Sequence, residues 1–430
     1  MKPGSQALKR TRFDVVVIGG GPAGMMAASK AADTGATVLL LEKNPILGKK
    51  LLITGGGRCN VTNNKPVVRE MLSQYRSEGK FLFSTFMQHG VAESMEWFAS
   101  RNVALKEENE GRLFPESNSA QTIRDTLAED LKQQQVYVQT NAAVTKIEQQ
   151  AGNFHVTVQS GEVFQGKSCV VGTGGSARPE TGSTGEGFRW LKSMGHTIKE
   201  NSFALVPLTL HTQWTQKLSG ITIPHCKITI VVDGQKHSAV KGKLLFTHVG
   251  VTGPTILNMS KTVGELLSYG AVTLLVDLFP GADSVQMNEM VRTILHDNAN
   301  KKVRNAFSEL LPAALSKEIV RQCHIDTETQ CNSITKKERV ALIEYLKAVP
   351  LEVSGLLGKE KAVVSSGGVV LEEIDFKTME SKVANGLHLV GDVLNINRPS
   401  GGYSLQLCWS TGSVAGEHAA KWALNEQNKA

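Results

Sequence analysis

No stretch of about 18 apolar residues occurs anywhere in the 430-residue chain, so no transmembrane helix is predicted. Cysteines are few and scattered. Cys59, Cys169, Cys226, Cys323, Cys331 and Cys408 form no C-x-x-C pair, which argues against a zinc site or a disulfide framework and favours a reducing, cytoplasmic setting. There is no long run of Lys or Arg and no aromatic–basic motif, so the net charge of +7 reads as a solvated cationic surface, with no nucleic-acid partner expected. Lys9, Arg10 and Arg12 ahead of an apolar run superficially suggest a signal peptide, but Asp14 and the glycines that follow interrupt it. What the chain has instead is length and glycine. Its 430 residues exceed one compact core, so two or three domains are expected. Several of its 41 glycines sit in tight clusters, which suggests turns where backbone approaches a ligand closely.

Residues 1–11 are polar and expected to be disordered. Val15-Val16-Val17-Ile18 then reads as a buried strand, residues 25–32 as a small-residue helix, and Val38-Leu39-Leu40-Leu41 as a second buried strand. That order is a βαβ unit, which favours a parallel sheet. Short strands are expected at 136–138, 143–147 and 154–158, and a buried one at 169–171. From about 203 the pattern changes. Ile228, Ile230 and Val232 alternate ahead of the hairpin signal Asp233-Gly234, and 272–279 is another strand-like run. Met287, Met290, Val291 and Ile294 fall at helical spacing behind Ser284, the expected N-cap. Thr335 and Glu338 make a capping-box pattern ahead of Leu342, Ile343 and Leu346. Residues 387–390 return to a strand that ends in Gly391-Asp392. The fold expected is α/β: a doubly wound FAD/NAD(P)-binding domain of the glutathione reductase-like kind, formed by 12–202 and 359–424. Into it are inserted a β-rich, barrel-like part (203–283) and a helical part (284–358).

Gly19, Gly21 and Gly24 give G-x-G-x-x-G directly after the first strand. The first permits a tight turn, the second lets backbone reach a pyrophosphate, and the third lets the helix pack closely on the strand. Glu42 ends the second strand, 18 positions after Gly24, where a carboxylate can accept hydrogen bonds from ribose hydroxyls and repel a 2′-phosphate. Gly172-Thr173-Gly174-Gly175 follows another buried strand, and Gly391-Asp392 a third. An Asp there can bind a ribityl hydroxyl, which FAD has and NAD lacks.

Leu47-Gly48-Lys49-Lys50-Leu51-Leu52-Ile53-Thr54-Gly55-Gly56-Gly57-Arg58-Cys59-Asn60 resembles a signature of the HI0933-like, or BaiN-like, family of bacterial NAD(P)/FAD-dependent oxidoreductases, the aminoacetone oxidase-like flavoproteins. Leu245-Phe246-Thr247-His248 with Gly250, Thr252-Gly253-Pro254, Ser366-Gly367-Gly368-Val369, Thr378-Met379-Glu380-Ser381-Lys382, Gly401-Gly402-Tyr403 and Ser413-Val414-Ala415-Gly416 are similar to it as well. The resemblance covers about residues 12–420. It implies a flavoprotein with two dinucleotide-binding domains, one FAD and an inserted domain, and it fixes the cofactor better than the reaction. Asn395 and Asn397 stand where many relatives carry Asp, a departure expected to alter flavin or substrate contacts without abolishing FAD binding.

The expected cofactor contacts are Gly19, Gly21, Pro22, Ala23, Gly24, Glu42, Lys43, Lys49 and Val144, with Thr173, Gly174, Gly175, Gly391 and Asp392. Gly56, Gly57, Arg58, Cys59 and Asn60 are expected beside the pyrophosphate or the flavin ring, and the resemblance implies that the turn Gly401-Gly402-Tyr403 faces the ring. The catalytic candidates are Arg58, whose charge would stabilise the reduced anion, and His248, a candidate proton donor in the inserted domain. Cys59 reads as a packed thiol because no second cysteine neighbours it. No metal site is expected. The activity expected is that of a reductase passing hydride from NAD(P)H, bound transiently for want of a second G-x-G-x-x-G, through FAD to a small organic substrate. The alternatives are an amine oxidase that returns electrons to O₂ and an FAD-containing nucleic-acid or partner-binding protein.

Overall fold

Uninterrupted aliphatic runs make strands that are covered on both faces. The computed structural model, which describes residues 10–267, 269–357 and 364–427, places two such runs side by side. β1 (Arg12–Ile18) and β2 (Val38–Leu41) pair in parallel and are joined by helix α1 (Pro22–Asp33). Val15, Val16, Val17, Leu39 and Leu40 are fully buried. Beyond β1 the sheet continues in parallel through Val163–Val171 and Leu387–Leu389, and beyond β2 through Tyr137–Gln139. Short antiparallel strands complete a nine-stranded sheet. The N-terminal segment expected to be disordered lies, up to residue 9, outside the described residues.

The strand register places the site. Ile18 lies opposite Leu41 on one side and Val171 on the other, and Val171 lies opposite Leu389. The carboxyl ends of four parallel strands therefore stop at one level, and the loops leaving them converge on one crevice. Open α/β sheets take their ligands there. Helix α1 covers one face together with the C-terminal helix Tyr403–Gln427. A Cβ on Gly412 would stand 2.5 Å from Ala23 O, and one on Gly416 would stand 2.2 Å from Ala27 O. Two glycines one helical turn apart thus let the two backbones meet, which holds the start of α1 against the sheet.

The chain divides into two compact units: the described residues of Met1–Phe203 with Val363–Ala430, and those of Ala204–Ala362. The second unit is a closed six-stranded antiparallel barrel. Its helices Ser284–Asp297, Ala313–Gln322 and Lys336–Lys347 fall in the chain between the barrel strands Val272–Asp277 and Val349–Leu356. Val349–Leu356 pairs with Val272–Asp277 on one side and with Leu208–Leu210 on the other, so it closes the barrel. This corrects the assignment of 284–358 as one helical part. The strand is contiguous in sequence with the helices, but its partners are far away in the chain.

Local signals are sharper. Asp233 and Gly234 both adopt positive φ, 46° and 82°, as a two-residue hairpin turn requires. The Thr335–Glu338 capping box forms: Glu338 N donates to Thr335 Oγ1 at 3.2 Å and Thr335 N to Glu338 Oε2 at 2.8 Å. The cap of the helix Ser284–Asp297 is Asp283 rather than Ser284, since Asp283 Oδ1 accepts from Val285 N at 2.9 Å and from Gln286 N at 2.8 Å. Among the described residues no helix is long and apolar enough to cross a membrane.

Candidate cofactor cleft

Gly19 leaves β1 with φ +104°, and a Cβ there would stand 2.5 Å from Gly172 O. Gly24 is tighter: its Cβ would stand 1.9 Å from Gly19 O. Both positions demand glycine because backbone meets backbone. Gly21 is different, since a Cβ built there meets nothing within 4 Å, so its backbone faces open space. No side chain caps α1, and Pro22 occupies its first turn. The N–H groups of that turn are therefore left to the cleft, with the partial positive charge of the helix terminus behind them. The cleft holds about 1190 Å³ of non-protein space, its open mouth included.

Glu42 is buried at the end of β2. Its Oε2 accepts from Gly20 N at 2.7 Å, and its Oε1 accepts from Asn44 N and Nδ2, each at 2.7 Å. The carboxylate ties the glycine turn to β2; Oε1 is fully used, and Oε2 keeps one lone pair to spare. Lys43 points to Thr184 Oγ1 at 2.8 Å and Glu186 Oε2 at 3.0 Å, away from Glu42. Glu42→Ala is expected to weaken FAD retention about tenfold, because it removes a ribose acceptor and frees the Gly20 N–H. Flavin content after exhaustive dialysis measures this, and occupancy equal to wild type would remove Glu42 from the role.

Farther along, Thr173 and Asp392 line the same cleft. Thr173 Oγ1 is buried without a hydrogen-bond partner. A buried orphan hydroxyl is costly unless a ligand satisfies it. Asp392 faces Lys50 Nζ at 3.2 Å and pairs with Arg398, whose side chain is fully buried. Arg398 also donates to Ile396 O at 2.6 Å and to Ser404 Oγ at 3.1 Å. Burial pushes the Asp392 carboxyl up, but Arg398 and Lys50 outweigh it and hold the group below the usual carboxylate range. Asp392 is thus an anionic acceptor at the mouth of the third strand. Free helix N–H groups, an orphan hydroxyl and two carboxylates along one groove fit an FAD with its diphosphate over α1, a ribose at Glu42 and the ribityl chain towards Asp392.

Of the residues singled out in the sequence, the cleft lining brings together Gly19, Gly21, Pro22, Ala23, Glu42, Lys43, Lys49, Val144, Thr173, Gly174 and Asp392. Gly24 lies beneath it as the packing glycine. Gly175, Gly391 and Tyr403 lie outside the lining; Gly391 is buried, and its N donates to Thr411 Oγ1 at 3.1 Å. Arg58 also lies outside. It pairs with Glu108, donates to Asn118 Oδ1 through Nε at 3.1 Å, and stacks 4.2 Å over the Phe114 ring. It therefore holds the strands Leu105–Glu108 and Arg112–Pro115, as a loop-anchoring arginine does, and the cleft draws its positive charge from Lys43, Lys49 and Lys50 instead. Cys59 is fully buried, and burial pushes its thiol up to about 12, so it is a packed thiol with no thiolate to offer. Asn60, with its amide oriented to satisfy both ends, donates to Thr62 O and accepts from Gly402 N, each at 2.9 Å. It supports the Gly401-Gly402 turn from behind. Gly56 and Gly57 are exposed with positive φ, just past Thr54 of the lining. His248 is exposed on the turn before the strand Gly250–Thr252 of the second unit.

Sequence reasoning missed Lys50 and Arg398, the two cations on Asp392. It also missed Asn44, Trp190 and the segment from Thr181 to Glu186. Lys50 stood inside the quoted signature, but its partner lies 342 positions away, a separation that no local pattern reveals. Gly182 meets Asn44 closely, since a Cβ there would stand 2.5 Å from Asn44 Nδ2.

Residues 13–418 match the family described as HI0933-like protein Rossmann domain. The chain is 29% identical to a 3-dehydro-bile acid delta(4,6)-reductase of Clostridium scindens over 408 residues, covering 94% of this chain and 98% of the relative. It is 28% identical to a ribosomal RNA dihydrouridine synthase of Escherichia coli, also over 408 residues, covering 93% and 96%. Among solved structures, a flavocytochrome c3 fumarate reductase in its open conformation superposes with a TM-score of 0.53 at 18% identity, covering 96% of this chain and 79% of that one. A 3-ketosteroid delta1-dehydrogenase from Sterolibacterium denitrificans gives 0.53 at 14% identity, covering 96% and 100%. These two structures establish the fold.

Proposed function

The chain belongs to the HI0933-like protein Rossmann domain family and is an FAD-dependent oxidoreductase, and from that premise we propose that it reduces a carbon–carbon double bond conjugated to a carbonyl, with NAD(P)H as electron donor. The observation that carries this reading is the end-to-end similarity to two relatives whose names describe one reaction type. A 3-dehydro-delta(4,6) steroid holds its double bonds in conjugation with a ketone. The uracil ring that becomes dihydrouridine holds its double bond in conjugation with a ring carbonyl. Conjugation lets hydride add to the double-bond carbon farther from the carbonyl, which is β in the uracil ring and at the delta(4) bond and δ at the delta(6) bond, while a proton goes to the nearer carbon.

When bound, FAD supplies the hydride for such a reduction. The first turn of α1 would bind the diphosphate and Glu42 the ribose. Asp392 would accept from the ribityl hydroxyls, held anionic by Lys50 and Arg398. Charge accumulating at the cofactor would meet these lysines and helix termini in a partly dry groove, where their field counts for more than in water.

Anaerobic mixing tests the reading. NAD(P)H is expected to bleach the flavin band, and an enone or a uridine-bearing RNA to restore it with saturated product. Bleaching by primary amines alone, with recovery in O₂, would replace the reductase by an amine oxidase.

A further inference from the structure

In the second unit the strands Thr222–Val232 and Gln235–Phe246 form a long hairpin whose second strand is exposed from Gln235 to Val240. Lys227, Lys236, Lys241 and Lys243, with His225 and His237, are all exposed on it, against a single acid, Asp233, at its turn. In linear sequence these lysines are scattered. Strand pairing gathers them: Lys227 lies directly opposite Lys241 in the ladder, and Lys243 follows two residues on, about 6.8 Å along the strand on the same face.

Like charges directly opposite one another destabilise a ladder. Lys227 also lies opposite Asp277, but that carboxylate is taken by Lys347 at 2.7 Å. None of the four hairpin lysines makes an ion pair among the described residues. Elsewhere in this unit cations do have acids: Lys302 and Arg304 share Glu328, while Lys217 and Arg321 meet Glu318. Other cations of the unit, Lys301, Lys336 and Lys337 among them, also lack an acid among the described residues, but on the ribbon strand pairing sets two unpaired lysines face to face.

We propose that this ribbon is a docking surface for the phosphate backbone of RNA. A phosphate set between Lys227 and Lys241 would convert their repulsion into two charge-assisted contacts. A bilayer is the poorer fit, because an interfacial anchor needs exposed aromatic or large aliphatic side chains, and only Val240 is such a residue here. The proposal rests on the reduction assigned above solely for the choice of RNA among polyanions; the charge pattern stands without it.

The test uses the full-length, FAD-loaded protein, a fluorescein-labelled stem–loop RNA and labelled polyuridylate, with anisotropy read across a salt series. Each phosphate contact contributes about 0.7–0.9 to the slope of log K against log salt. Combining Lys227→Ala, Lys241→Ala and Lys243→Ala is expected to lower that slope by about 2 and to raise Kd about 100-fold at ~0.1 M salt. The corresponding Lys→Arg variant is expected to bind as wild type does, which separates charge from folding. Removing the exposed Lys336 and Lys337 is expected to change nothing. Flavin bleaching by NAD(P)H and turnover of a free enone are expected to be equal in all variants, so loss of the reductase reading would register separately. Wild-type slope in the triple alanine variant would overturn the proposal. So would the absence of RNA binding, or binding to phosphatidylserine vesicles in its place.

Discussion

Gly24→Ala is expected to raise the dissociation constant of FAD about 100-fold, an effect of ~2.7 kcal/mol. The added methyl would stand 1.9 Å from Gly19 O, against backbone that cannot rotate away as a side chain would. To make room, α1 must slide off β1, and Gly19 is pinned as well, with its N donating to Leu41 O at 2.8 Å. The helix terminus that would cradle the diphosphate then withdraws from the strand end, and both the N–H groups and the field behind them are misplaced. Because Ala favours helix over Gly by ~1 kcal/mol, a variant judged on propensity alone would be more stable. The two accounts therefore predict opposite signs. Fluorescence titration of the deflavinated variant with FAD measures the constant, and thermal unfolding of the apo form shows whether the fold itself survives.

The second large effect is on stability. Asp392→Ala is expected to cost about 3–5 kcal/mol in urea unfolding of the apo protein, because it leaves the fully buried Arg398 guanidinium without its counter-charge. Coupling Asp392→Ala with Arg398→Met is expected to recover most of the loss, since the pair is then replaced by apolar volume rather than broken. The pH dependence follows from the direction in which the carboxyl is held. Its folded-state value is depressed, so the stability it contributes is fully present above the unfolded carboxylate range near ~4 and is lost as pH falls through the folded value. The gap between wild type and Asp392→Ala is therefore expected to stay level from about pH 5 to 8 and to close only in more acid solution. A gap that opened or closed through neutral pH would assign the effect to another group.

What the sequence revealed and what it hid divide by the distance over which each signal acts. The βαβ unit was legible because every cue lies within one short stretch: an apolar strand, three glycines, a helix, a second strand and a terminal Glu. The same holds for the Asp233-Gly234 turn and the Thr335–Glu338 box, which are local hydrogen-bond arrangements. The helices Gly79–Gln88, Val91–Ala99 and Ala120–Gln133 passed unread, although Ser119 caps the last of them; the apolar face of the first is broken by the exposed Phe83 and Met87. Arg58 was misplaced for a different reason. A signature says that a residue belongs to the site region, not which way its side chain points, and Glu108 and Phe114 turn this one away from the groove. The Lys50–Asp392–Arg398 cluster needed the third dimension. Charge on the barrel hairpin shows the same limit, since lysines spread along the chain read as an ordinary solvated surface until a ladder sets two of them face to face.

All of the chemistry assigned here depends on the crevice at the carboxyl ends of the parallel strands holding a flavin nucleotide. The direct measurement is an absorbance titration of the folded, deflavinated protein with FAD. The expected result is saturable uptake of one FAD per chain, with a perturbed flavin band near ~450 nm and a dissociation constant that Gly24→Ala raises. A protein with an intact circular dichroism spectrum that leaves the flavin band unshifted at every concentration would contradict the account.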